Sequence, residues 1–218
     1  MDSVLDCATE SRGSVCEIKE LSEIPGFIQV VPGVFTEDEC KRLIDIAEQT
    51  GFVKAALYTD NVGVEHFSDI RTSLRCIIDS HGFATAFLDR IKDYVPTEFN
   101  GKPLVGINER LRILKYQPGD EFKPHIDGKY VSPTGAISQI TILIYLNEGY
   151  RGAYTCFHNG ETWIPIIPKV GMVVLQDQDL YHCVPALEEG VKYAIRTEVM
   201  YQMPETPRGD YKTITVTV

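Results

Sequence analysis

The sequence has no apolar run approaching the roughly 20 residues a membrane-spanning helix needs. Its opening, M-D-S-V-L-D-C-A-T-E, has neither the basic start nor the apolar centre of a signal peptide, so an intracellular protein, cytoplasmic or nuclear, is expected. Basic residues are in the minority: 21 Lys and Arg stand against 31 Asp and Glu, a formal net charge of −10, and no basic patch stands out. Such a surface repels phosphate backbones, which argues against nucleic acid as a partner. The six cysteines, at positions 7, 16, 40, 76, 156 and 183, include no C-x-x-C pair and no cluster, which suits reduced thiols. Neither an internal repeat nor a low-complexity tract occurs.

What is there is the balance of an ordinary globular domain, 44% hydrophobic and 24% charged over 218 residues. One domain over residues 23–218 is expected, after a loose leader at 1–22 that carries several Ser, Glu and Asp and no periodicity. A short strand, F-I-Q-V-V, leads through Pro32-Gly33 into a helix: Thr36 and Glu39 make a capping box, Leu43, Ile44 and Ala47 an apolar stripe, and Gly51 a stop. A second helix is expected from Gly82 to Tyr94, where Phe83, Ala86, Phe87, Ile91 and Tyr94 recur at helical spacing before Pro96. Between the helices, Lys54 to Ser73 is polar, with a turn at Asn61 to Gly63, and is the candidate for a substrate-covering lid. Past Asn100-Gly101 the pattern is strands punctuated by Gly119, Gly128, Gly149, Gly160 and Gly171, and the end of the chain reads as a turn and one terminal strand.

Two of these strands alternate in the same way. I-S-Q-I-T-I-L-I-Y-L-N sets Ile140, Ile142 and Ile144 against Gln139, Thr141, Leu143 and Tyr145. K-Y-A-I-R-T-E-V-M-Y sets Tyr193, Ile195 and Val199 against Lys192, Ala194, Arg196 and Glu198. An apolar face paired with a partly polar one in both predicts a barrel with a polar lumen.

The chemistry-bearing residues are His125-x-Asp127 and the distant His182. Two imidazoles and one carboxylate occupy one face of an octahedral ion, the arrangement associated with non-heme Fe(II) oxygenases, and leave positions open for a cosubstrate and dioxygen. A catalytic zinc site is the rival, but it calls for a general base beside the ligands rather than a cation in the lumen. His66, His81 and His158 have no partner at ligand spacing, and Cys183 is expected to pack rather than to bind metal.

The pieces R-T-S (71–73), L-K-Y-Q-P-G-D-E-F-K-P-H-I-D (114–127), Y-L-N (145–147), G-A-Y-T-C-F (152–157), P-K-V-G-M (168–172) and the ten-residue step from His182 to Lys192 resemble the prolyl 4-hydroxylase-like branch of the 2-oxoglutarate- and Fe(II)-dependent dioxygenases. The resemblance runs over about residues 30–203. It implies a mainly β fold, a double-stranded β-helix (jelly roll) core at about 105–203 buttressed by N-terminal α-helices. It implies Fe(II) held by His125, Asp127 and His182, and 2-oxoglutarate held by Lys192 with Tyr145, Tyr116 and Thr141 nearby. Ascorbate is implied as reductant. Arg196, on the same strand face, competes with Lys192 for the distal carboxylate, and Arg71 and Arg112 are candidates for orienting substrate. Arg71 has an ion pair with Asp69 as its structural alternative. Gly152-Ala153 stands where many relatives have Gly-Gly, a mild change if the backbone there keeps negative φ. The implied reaction is hydroxylation of prolyl residues in an intracellular protein with release of succinate and CO2. The same mechanism on a free amino acid or other small molecule, and a non-catalytic jelly-roll binding protein, are the alternatives. The oligomeric state is not legible.

Overall fold

The computed structural model of the protein describes residues 19–55, 57–58, 65–66 and 70–203. The expected terminal strand and the turn at 61–63 lie outside the described residues, as do residues 1–18 of the expected leader. Lys19–Glu23 form a 3-10 turn, and Leu21 in it packs against the core.

Eleven principal strands and two helices follow in chain order. They are β1 (Ile28–Val31), α1 (Glu37–Thr50), β2 (Leu74–Asp79), α2 (His81–Ile91), β3 (Lys102–Ile107), β4 (Arg110–Tyr116) and β5 (Phe122–His125). Then come β6 (Ala136–Tyr145), β7 (Thr155–His158), β8 (Trp163–Ile166), β9 (Val173–Asp177), β10 (His182–Val184) and β11 (Lys192–Gln202). The major sheet runs β1-β9-β6-β11-β4-β2, with Val53–Lys54 at its far edge and β3 beside the later half of β11. The minor sheet runs β8-β7-β10-β5. Both are antiparallel throughout, the strand arrangement of a double-stranded β-helix.

The helices cover the outer face of the major sheet, as the apolar stripes predict. Cys40, Leu43 and Ala47 of α1 and Phe83, Phe87 and Ile91 of α2 join Ile140, Ile142, Ile144, Ile195 and Val199 in one buried cluster. Each Leu, Ile, Val or Phe among them contributes about 1.5–3 kcal/mol relative to exposure. The capping box forms: Thr36 Oγ1 accepts from the Glu39 N–H at 3.2 Å, and Glu39 Oε2 accepts from the Thr36 N–H at 2.8 Å. Glu39 also pairs with Arg90 of α2 at 2.7 Å, so one carboxylate both starts α1 and ties it to its neighbour. Gly171 lets the turn before β9 meet α1's approach. Its φ is +74°, and a Cβ there would lie 1.9 Å from the Phe35 carbonyl oxygen.

The inner face of the major sheet turns to the minor sheet. Leu143, Tyr145 and Val174 pack there against Phe157, Ile164 and Ile166. At the end of this sandwich the packing opens into a pocket. In the region of the expected lid, Leu57–Tyr58 pair antiparallel with Glu65–His66, and the residues between them lie outside the described residues.

Candidate metal centre and cosubstrate pocket

Strand pairing alone brings the two histidines together. β5 lies beside β10 with His125 opposite His182, and their rings are 4.2 Å apart. Asp127 follows two residues after β5, where its N–H donates to the Gln178 carbonyl. Its carboxylate lies 3.8 Å from His125 Nε2 and 3.9 Å from His182 Nε2. Ligand atoms of all three residues fall within 4.8 Å of one another.

The neighbours fix which atoms face the centre. His125 Nδ1 is 2.7 Å from the Lys123 carbonyl and His182 Nδ1 2.9 Å from the Leu180 carbonyl, so each Nδ1–H donates to backbone and each Nε2 keeps its lone pair. His125 Nε2 is buried without a hydrogen-bond partner, the orphan expected of a ligand atom awaiting an ion. Burial, helped by the nearby His182, pushes the His125 imidazole down to about 4, which keeps it neutral and able to ligate. Asp127 behaves in the opposite way. Burial opposes its ionisation, yet the Arg196 guanidinium, then His182 and the Thr141 hydroxyl, hold its carboxyl well below the usual range. Thr141 Oγ1 donates to Oδ2 at 2.7 Å and Arg196 Nη2 lies 3.0 Å from Oδ1. Two imidazoles and one ionised carboxylate are the donor composition that suits a ferrous ion.

The pocket extends from this cluster between the sheets, with about 440 Å³ of space including its open mouth. Leu114 and Tyr116 of β4, Thr141, Leu143 and Tyr145 of β6 and Lys192, Ala194 and Arg196 of β11 line one side. Lys192 is 2% exposed, and no carboxylate faces it among the described residues. Its Nζ donates to the Ala153 carbonyl at 2.7 Å and lies 5.0 Å over the Tyr116 ring and 5.5 Å over the Tyr145 ring. Burial brings the lysine down to about 7. Tyr145 donates to Thr155 Oγ1 at 2.8 Å.

Geometry separates the surroundings of the two cations. Arg196 is spoken for by Asp127 and, at 2.9 Å, by Glu198. Lys192 alone of the two is left with only a carbonyl. Arg71 lines the pocket too; the Asp69 side of its alternative lies outside the described residues. Arg112 does not line it: although it pairs across from Arg196, its guanidinium is held by Glu198 at 2.8 Å. The expectation for Ala153 needs correction. Its φ is +49°, following Gly152 at +82°, so the alanine sits in the left-handed region that costs a non-glycine residue roughly 1 kcal/mol or more. Cys183 packs opposite Cys156 on β7, where burial pushes its thiol up to about 11, and it is not among the three clustered side chains. Sequence reasoning missed Thr155 and Phe122 as pocket residues. Thr155 lay within a motif already singled out, G-A-Y-T-C-F, and alternation along it would have turned Thr155 inward with Phe157.

Comparison with known proteins agrees with this geometry. The 2OG-Fe(II) oxygenase superfamily matches residues 111–197, a stretch that includes all three candidate ligands and Lys192. Prolyl 4-hydroxylase 5 of Arabidopsis thaliana is 29% identical over 140 residues, 61% of this chain but only 45% of the relative's length. A Trichoplax adhaerens prolyl hydroxylase, solved with a hypoxia-inducible factor peptide fragment, superposes with a TM-score of 0.62 at 17% identity, over 83% of this chain and 86% of that one. The viral collagen prolyl hydroxylase of Paramecium bursaria Chlorella virus-1, solved with 2OG, gives 0.56 at 19%, over 82% and 98%. At those identities the two structures establish the shared fold. The class these findings point to is that of the 2OG-Fe(II) oxygenases: residues 111–197 match them, and the chain shares the double-stranded β-helix of the solved prolyl hydroxylases. Within that class the curated relatives it resembles are prolyl 4-hydroxylases, of which this chain spans less than half the length.

Proposed function

We propose that the protein couples oxidative decarboxylation of 2-oxoglutarate to hydroxylation of a prolyl group in a protein or peptide, releasing succinate and CO2. One observation carries this reading: a buried lysine without a carboxylate partner among the described residues stands in the same pocket as a His-Asp-His cluster. A cation so placed is costly unless an anionic ligand answers it, and 2-oxoglutarate offers a carboxylate at each end.

In this reading His125, His182 and Asp127 hold Fe(II), with Asp127 kept ionised and oriented by Thr141 and Arg196. When bound, iron and 2-oxoglutarate together supply the dioxygen-activating chemistry, with ascorbate as external reductant. Lys192 neutralises the distal carboxylate. Tyr116 and Tyr145 wall it in, while Leu143, Val184 and Ala194 exclude water between the two ends. The described cysteines, Cys40, Cys76, Cys156 and Cys183, are all free thiols, which supports a reducing, cytoplasmic or nuclear, compartment. No helix among the described residues is long and apolar enough to cross a membrane.

The test incubates proline-containing peptides with the chain, Fe(II), 2-oxoglutarate and air. The expected result is a mass gain of one oxygen atom, matched by succinate and abolished in His182→Ala. Succinate release that survives that substitution would overturn the assignment of the centre. Hydroxylation confined to a free amino acid or other small molecule would keep the chemistry and replace the substrate. A chain that takes up no iron anaerobically would be a jelly-roll binding protein instead.

A further inference from the structure

Arg71 is the pocket cation this reading leaves unanswered. It is 6% exposed and lies over the Phe122 ring, 4.9 Å from its centroid, while Phe122 stacks on His125 at 3.5 Å. Nε donates to Ser73 Oγ at 3.2 Å, but Nη2 is buried with no hydrogen-bond partner among the described residues. The backbone around it is clamped to β5 and the turn before it: Arg71 bridges to Phe122, the Thr72 N–H donates to Glu121 and the Lys123 N–H to Ile70. The guanidinium is thus held beside the metal cluster on the wall that carries His125.

Arginine does not shed its proton at any physiological pH, so burial cannot neutralise it. The other cations of the site each have a carboxylate partner or, for Lys192, gain one with the cosubstrate. Asp127 and Glu198 answer Arg196, and Glu198 also holds Arg112. With a divalent ion and the 2-oxoglutarate dianion in place, Lys192 has its carboxylate, and Arg71 remains as the pocket cation without one among the described residues. Its planar donor edge fits a carboxylate in two-pronged fashion.

We propose that Arg71 anchors a carboxylate of the molecule being hydroxylated. This rests on the oxygenase reading above and narrows its substrate to a prolyl group with an acid close by. The carboxylate has two sources: the α-carboxylate of free or chain-terminal proline, or the side chain of an acidic residue next to an internal proline. The net charge of −10 does not forbid it, because repulsion between exposed charges is screened beyond about 8 Å at physiological salt, whereas a buried pair is screened far less.

The experiment uses the full chain with Mn(II) in place of iron and saturating 2-oxoglutarate, so that binding is read without turnover. Isothermal titration compares matched acid and neutral probes: L-proline with L-prolinamide, Ala-Pro with its amide, and doubly blocked peptides with Glu or Gln on either side of a central proline. At least one acid probe is expected to bind 30-fold or more tighter than its neutral twin, and the one that does identifies the source. Arg71→Gln should collapse that ratio to within about threefold while leaving 2-oxoglutarate affinity within threefold; Arg71→Lys should restore part of the preference. The proposal is overturned by equal binding of acid and neutral twins, by failure of every acid probe to bind, or by a tenfold loss of 2-oxoglutarate affinity in Arg71→Gln, which would give the guanidinium to the cosubstrate. Failure of the wild-type chain to bind 2-oxoglutarate would instead sink the oxygenase reading and this inference with it.

Discussion

Lys192→Met separates a cation kept for a ligand from one kept for the fold, because the two roles predict opposite signs. Burial takes the lysine from its ordinary 10.5 to about 7. A drop of that size corresponds to about 5 kcal/mol held against the charged form. Methionine fills a similar volume without charge, and what is lost is the hydrogen bond to the Ala153 carbonyl, about 1 kcal/mol. The ligand-free variant is therefore expected to be more stable than wild type at pH 6 by a few kcal/mol, a rise in Tm of about 5 °C or more. The sign follows from proton uptake. Between about 7 and 10.5 the unfolded chain binds a proton at this lysine that the folded chain does not, so wild-type stability climbs with pH across that window and the advantage of the variant shrinks. Affinity for 2-oxoglutarate should move the other way: leaving one buried charge without its partner costs about 3–5 kcal/mol, or roughly two to three and a half orders of magnitude in Kd. Scanning calorimetry and titration with Mn(II) loaded measure both. A variant that melts lower than wild type at pH 6 and still binds 2-oxoglutarate normally would refute the reasoning.

The same lysine gives a pH profile. It loses its proton through about 7 in the free protein, and only the charged form attracts the dianion, so Kd should rise by up to roughly 100-fold between pH 7 and 9, and stay flat in Lys192→Met. Thr141→Val keeps the shape of the side chain but removes the donor to Asp127 Oδ2, and should weaken Mn(II) binding about 10- to 100-fold by electron paramagnetic resonance titration, with little change in fold. Gly171→Ala should destabilise the chain by at least about 3 kcal/mol, seen as a lowered urea midpoint, because the turn combines positive φ with a close backbone contact at Phe35. An unchanged midpoint would mean the turn relaxes freely.

The parts of the fold that a single segment decides were readable in advance. Thr36 and Glu39 satisfy each other within four residues, and α1 starts there. Period-two alternation sent Ile140, Ile142 and Ile144 to the helices and Thr141 and Tyr145 to the pocket, because each strand face meets a different environment. The metal cluster was readable for another reason: few residue types ligate iron, and His125, Asp127 and His182 stood apart from the spare histidines by their motifs. What depended on distant neighbours was not readable. Lys192 and Arg196 share a strand face with Glu198, and only the position of Asp127, arriving from elsewhere in the chain, completes the engagement of Arg196. Ala153 could not be read either. The preceding Gly152 is pressed against the 186–188 backbone, where a Cβ would come within 2.5 Å of the Ala186 oxygen, and nothing in the local sequence announces that approach.

That distant neighbourhood also explains why so much charge lies beneath the metal cluster. Asn108 Nδ2 donates to Glu198, Glu198 holds Arg112 and Arg196, and Arg196 holds Asp127, so a continuous row of polar groups runs from the β3–β4 connection to the centre. Buried ion pairs contribute little net stability compared with apolar packing of the same volume, so stability is a poor reason for the row. Positioning is a better one. Asp127 has both oxygens engaged, Oδ2 by Thr141 and Oδ1 by Arg196, which fixes the rotation of its carboxylate and its separation from each histidine. Arg196 can do this because Glu198, 1% exposed and itself met by two arginines and an amide, holds its other terminal nitrogen. Breaking the row at its far end, with Asn108→Leu, should therefore leave every ligand in place and still loosen metal binding, whereas a row kept only for stability would show the loss in the melting temperature alone.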